Sequence, residues 1–185
     1  MDFSGFHGTD LSNTLSIINE GFVPSIGNDH WIGEGVYFFL EGLSRMPETQ
    51  AENWAIAQSW DNLYNKRRYN NFVVFEAEIS VIDELCLDLR TADGIEVFEY
   101  FVNKFVEHIQ KTRRNLNFVD GLIINLARND GVLIFKVVIG NFFIKFTKER
   151  IERINLRTAN CTICNVMESN STIISYKVRK TGTIS

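Results

Sequence analysis

Apolar positions in this chain recur with two periods, and they predict helices early and strands late. Phe72–Ile82 alternates, with Phe75, Ala77, Ile79 and Val81 on one side and Glu76, Glu78 and Ser80 on the other, so a strand with one solvated face is expected. Ser171–Arg179 alternates in the same way through Thr172, Ile174, Tyr176 and Val178. Leu11–Glu20 instead places Leu11, Leu15 and Ile18 on one helical face, between Asp10 as a cap and Gly21 as a C-terminal stop. A second helix is predicted over Pro47–Leu63 and a polar loop over Lys66–Asn71. A third helix opens at Asp93-Gly94-Ile95-Glu96 and carries the stripe Ile95, Phe98, Phe101, Val102, Phe105 and Ile109. Short strands are expected near the start, ending at Phe6-His7-Gly8-Thr9, and over Gly35–Leu40. Later strands are expected over Gly121–Leu126, Val132–Ile139 and Phe142–Phe146, and within Asn155–Val166.

Helices first and strands afterwards define an α+β chain rather than a βαβ series. Its 185 residues suit one domain spanning 1–185. Apolar residues at 45%, charged residues at 23% and only 2 prolines exclude a disordered or linker-rich chain. No apolar run is long enough to cross a membrane. Met1-Asp2-Phe3-Ser4 lacks the basic and apolar regions of a signal peptide, so a cytoplasmic protein is expected. Three cysteines fit a reducing compartment. Cys161-x-x-Cys164 raises zinc or redox chemistry, but only Cys86 and three scattered histidines remain to complete four ligands, so no metal site is expected.

Charge is uneven along the chain. Residues 1–100 carry 5 basic and 17 acidic side chains, and residues 101–185 carry 14 basic and 6 acidic. Either the halves attract each other within one fold, or the second half faces a nucleic acid. The cations gather at Lys66, Arg67 and Arg68, at Lys111, Arg113 and Arg114, and at Lys145, Lys148, Arg150 and Arg153.

Two segments bear the candidate chemistry: Phe6-His7-Gly8-Thr9, and Gly33-Glu34-Gly35-Val36-Tyr37-Phe38. With the intervening helix, Gly21-Phe22 and Ser25, their order and spacing over residues 5–60 resemble the opening of ADP-ribosyltransferases of the PARP-like, His–Tyr–Glu class. The resemblance implies a split, mostly antiparallel sheet cleft around NAD, and transfer of ADP-ribose with release of nicotinamide. It assigns His7 to the adenosine ribose, the Gly8 backbone to the nicotinamide carboxamide and Tyr37 to the nicotinamide ring. Thr9, Ser25 and Gly35 would line the cofactor, and Trp54 would close over the nicotinamide unless it is a core tryptophan of its helix. Trp31 would shape the loop above.

The family's third residue, a glutamate on a late strand, has no clear counterpart here. The matching positions are Asn160 and Thr162, with Glu152 and Glu149 just before them and Glu52 on the second helix as a further reserve. In this family, loss of that glutamate goes with transfer of a single ADP-ribose rather than polymer synthesis. The resemblance and the chain's size imply a free-standing bacterial toxin of a toxin–antitoxin or anti-phage system, with an antitoxin protein as a partner. Its acceptor is expected to be RNA before DNA or protein. Two alternatives stand beside it: a catalytically inactive module that binds NAD or ADP-ribose, and an enzyme moving a 2′-phosphate from RNA to NAD, against which Tyr37 counts.

Overall fold

The structure is a computed structural model that describes residues 1–112, 116, 119–146 and 158–184. The fold is α+β, built on a mostly antiparallel mixed sheet of seven strands. In chain order the strands and α-helices are β1 (Asp2–Asp10), α1 (Thr14–Glu20), β2 (Val36–Leu40), α2 (Pro47–Gln58), β3 (Trp60–Asp61), β4 (Lys66–Arg67), β5 (Asn71–Ser80), β6 (Cys86–Asp88), α3 (Ala92–Lys104), α4 (Val106–Thr112), α5 (Asp120–Asp130), β7 (Val137–Phe142), β8 (Cys161–Val166), α6 (Ser169–Thr172) and β9 (Ile173–Thr183). The sheet order is β6-β7-β8-β2-β1-β5-β9, and only β6 with β7 runs parallel. Strands β3 and β4 form a separate small hairpin.

One face of the sheet packs Phe38, Phe75, Ala77, Ile79 and Cys164 around Phe22 and Ile17. The other carries α2, whose Ala51 and Ala55 are wholly buried against Phe39, Val74 and Ile163. A third cluster joins α3 and α5 to Val138 through Phe101, Ile124 and Ala127.

Several expectations need correction. Residues Gly121–Leu126 lie in helix α5, not in a strand. Three neighbouring apolar side chains, Leu122, Ile123 and Ile124, are buried there because the helix is covered on several sides, and a run of that kind reads alike in both states. Gly131, in the left-handed region, ends it. The strand expected over Val132–Ile139 begins only at Val137, and residues 143–146 are not strand. Helix α2 stops at Gln58, and the expected polar loop takes part in the β3–β4 hairpin. Helix α3 is capped by Thr91, whose hydroxyl accepts from the Gly94 N–H, and it breaks before α4 at Phe105. The first helix opens as a 3₁₀ turn, Leu11–Asn13. Its predicted stripe faces outward: Leu15 is 72% exposed, whereas Ile17 is 7% exposed. Ser171 and Thr172 lie in a short helix, so strand β9 begins only at Ile173; it keeps Tyr176 inward but exposes Ile174, which falls at a shift of its register with β5. Glu149, Glu152, Arg113, Arg114, Lys148, Arg150 and Arg153 lie outside the described residues.

Candidate active site

The site arises where the sheet opens. Strand β1 pairs with β5 along its whole length, from Asp2 to Asp10. With β2 it pairs only at Gly5 and Phe6, while β2 continues pairing with β8 from Leu40 to Val36. Beyond Phe6 the two strands part, and a cleft of about 480 Å³ fills the gap. That volume is in the range that holds a small organic ligand. Along His7–Asp10, no described strand pairs with the β1 edge that faces β2, so main-chain donors and acceptors stand open to the cleft.

His7 and Tyr37 meet here although 30 positions separate them. The His7 Nδ1–H donates to the Tyr37 carbonyl at 2.8 Å. A carbonyl only accepts, so the neutral imidazole carries its proton on Nδ1 and leaves Nε2 as an acceptor. Phe22 and Phe38 hold the ring edge-on and tilted, at centroid distances of 5.3 and 5.7 Å. Burial pulls the His7 pKa below its ordinary value, and the carbonyl bond opposes this more weakly.

The Tyr37 hydroxyl donates to the Gly33 carbonyl at 2.5 Å and accepts from the Ile32 N–H at 3.1 Å. Burial raises its pKa, so the phenol stays protonated. The hydroxyl is thus a fastener for residues 32–33, and the ring is left as a wall of the cleft.

Two asparagines complete that fastening. Asn165, fully buried on β8 opposite Tyr37, donates from Nδ2 to the carbonyls of Ile32, Gly33 and Glu34. Asn125 on α5 donates to Gly27 O and Asn28 Oδ1 and accepts from the Glu34 N–H. Ser25 and Gly35 close the loop: their main chains exchange two hydrogen bonds, and the Ser25 hydroxyl donates to Gly35 O. Gly35 sits at φ +153°, and a Cβ there would lie 2.0 Å from Asn165 Oδ1, so only glycine fits.

Gly8 is explained differently from the expectation. An added Cβ would stand 1.9 Å from the Ala51 carbonyl oxygen, so the glycine is required by the close approach of α2 to β1. Its main chain still lies at the cleft, next to Thr9. Trp54 of α2 also lines the cleft, edge-on to Trp31 at 5.2 Å, and Trp31 stacks on Phe142 at 5.7 Å. The two tryptophans and Tyr69 form an aromatic wall facing the split.

The late-strand candidates do not join this group. Thr162 donates to Asn141 Oδ1 and accepts from the Leu43 N–H. Asn160 holds Ile144 through both its amide atoms. Both are consumed in packing β8 and its approach against their neighbours, and neither lines the cleft. The β8 residue that does line it is Ile163. Alternation on the strand sends Thr162 to the opposite face. Glu52 is tied to Lys180 at 2.6 Å. Cys161 and Cys164, three residues apart on β8, belong to packing clusters on opposite faces of the sheet and do not converge on one ion. Burial pushes the Cys161 thiol up to about 12 and disfavours the Cys164 thiolate as well.

Sequence reasoning missed Asn125, Asn165, Ile163 and Asp29, the last also on the cleft lining. No local pattern marks the two asparagines, because their partners lie more than 90 positions away.

No protein-family model matches the chain. It is similar to an uncharacterized protein of Methanocaldococcus jannaschii, with 29% identity over 96 residues. The match covers 51% of this chain and 40% of that protein. Among the described residues, no helix is long and apolar enough to cross a membrane.

Proposed function

We propose that this chain is an NAD-dependent mono-ADP-ribosyltransferase. The observation that carries the reading is the parting of β1 and β2 at Phe6 and Phe39, which opens a cleft with His7 on one lip and Tyr37 on the other. Those are the two residues that the resemblance pairs around NAD. The donor set fits such a substrate. His7 Nε2 is available to a ribose hydroxyl, the open edge of β1 beside Gly8 offers N–H and C=O groups to a carboxamide, and Tyr37 with the tryptophans offers flat apolar surface to a nicotinamide ring.

In the reaction, the ribosyl C–N bond to nicotinamide breaks and nicotinamide leaves with the bonding pair. An acceptor atom then bonds to the same carbon and loses its proton. The transition state is cationic at the sugar, so orientation and charge placement govern the rate. The departure at the late-strand position supports single transfer rather than chain growth.

The acceptor we assign is nucleic acid, RNA before DNA, with protein as the alternative; support comes from the basic excess after residue 100. A role as a cytoplasmic bacterial toxin with an antitoxin partner rests on the resemblance alone.

Incubating the protein with NAD labelled on its adenosine half, alone and with total RNA, should release nicotinamide and leave label on the acceptor. A second reading, an inactive NAD- or ADP-ribose-binding module, is favoured by the lack of a carboxylate at the late-strand positions Asn160 and Thr162. Saturable NAD binding without nicotinamide release would decide for it.

A further inference from the structure

We infer that Asp29, on the loop between Phe22 and Val36, is the carboxylate that takes the proton of the attacking nucleophile. The inference rests on the transferase reading above. Three observations carry it.

Asp29 is the one acidic residue among the described residues that line the cleft. The late strand presents Ile163 instead.

The loop that bears Asp29 is held on both sides of it. Gly27 and Asn28 are fixed by Asn125 and Glu34. His30 donates from Nε2 to the Ile26 carbonyl at 3.1 Å. The main chain of His30 rests so closely on α5 that a Cβ on Gly121 would lie 1.8 Å from its carbonyl oxygen. A carboxylate between such anchors keeps its position without a regular element beneath it.

Its place at the cleft matches the step. Asp29 is exposed at the rim, and the neighbouring His30 ring lies 6.3 Å from the Tyr37 ring. A nucleophile arriving from solvent passes that rim before it reaches the ribose. As it bonds to the anomeric carbon, its proton passes to the Asp29 carboxylate and nicotinamide departs with the electrons of the broken C–N bond. Water or an acceptor hydroxyl is activated alike, so one assay without a known acceptor reports the step.

Nicotinamide release from NAD and NAD affinity by calorimetry would be measured for wild type, Asp29→Asn and Asp29→Glu. The account expects Asp29→Asn to slow release by on the order of 10²-fold, as for other general bases. NAD affinity should stay within about twofold, and Asp29→Glu should recover part of the rate. Release by Asp29→Asn at half the wild-type rate or more overturns the inference and leaves the transferase reading intact. So does a loss of NAD affinity that matches the loss of rate, since Asp29 would then bind substrate rather than move a proton. A wild-type protein that binds NAD and releases no nicotinamide overturns both.

Discussion

His7 is held by a main-chain carbonyl at Nδ1 and by two phenylalanine rings, so charging it must disturb packing as well as solvation. Burial lowers its pKa from the ordinary 6.5. In the pH range just below that value the unfolded chain binds a proton that the folded chain does not, so stability is lost as pH falls through it. Urea midpoints measured from pH 8 to pH 5 should therefore fall more steeply for wild type than for His7→Gln; parallel slopes would mean that His7 takes up its proton as readily in the folded chain as in the unfolded one. His7 and Tyr37 were legible in the sequence because each sits in a short motif with glycines that mark close backbone approach. Asn165 and Asn125 were not, because an asparagine gains its meaning only from carbonyls that the fold brings to it. Gly8 was legible as a constrained position, but the constraint comes from the Ala51 carbonyl.

At the scale of elements, the periodic strands were readable, and the first helix was readable in its position but not in the face it buries. Strand β5 alternates as expected because the face bearing Glu76 and Glu78 is partly solvated; its other end, at Phe72 and Val74, is covered on that face by α2. Helix α1 has two turns and so too few positions for its pattern to choose a face. Leu11, Leu15 and Ile18 look like a core stripe, yet packing is decided by Ile17, against which Phe22 and Tyr176 close, the latter donating from its hydroxyl to the Ile17 carbonyl. The consequence is measurable. Leu15→Lys should change stability by less than about 0.5 kcal/mol, as exposed substitutions do, whereas Ile17→Ala should cost about 2–4 kcal/mol. Denaturant titration separates the two, and the reverse order would show that the stripe faces the core. Helix α5 escaped because its buried run, Leu122–Ile124, is continuous rather than periodic.

Across the whole molecule, the acidic first half and the basic second half partly neutralise each other. Lys177 pairs with Glu76 at 3.0 Å, Arg179 with Glu48 at 3.1 Å and Lys180 with Glu52 at 2.6 Å, each joining β9 to β5 or α2. Those cations serve the fold, and exposed pairs of this kind contribute little each. The acceptor proposed above would meet the run of cations that the sequence places at Lys145, Lys148 and Arg150, so reversing the three together should cut labelling of RNA by tenfold or more at low salt. Nicotinamide release into water should not change. Label found on protein alone, or RNA labelling untouched by the triple reversal, would remove nucleic acid as the acceptor. The fold class was legible because helical stripes and alternating strands, the latter at β5 and β9, both show in the sequence; the split between β1 and β2 was not, because it depends on where pairing stops. That split is the centre of the account, and Tyr37 forms its wall while its hydroxyl fastens the loop above. The most direct test is the rate of nicotinamide release from NAD by wild type and by Tyr37→Ala, compared at equal folded fraction by circular dichroism. The account predicts release by wild type and a loss of at least about 10²-fold in the variant. Release by a folded Tyr37→Ala protein at the wild-type rate would contradict it.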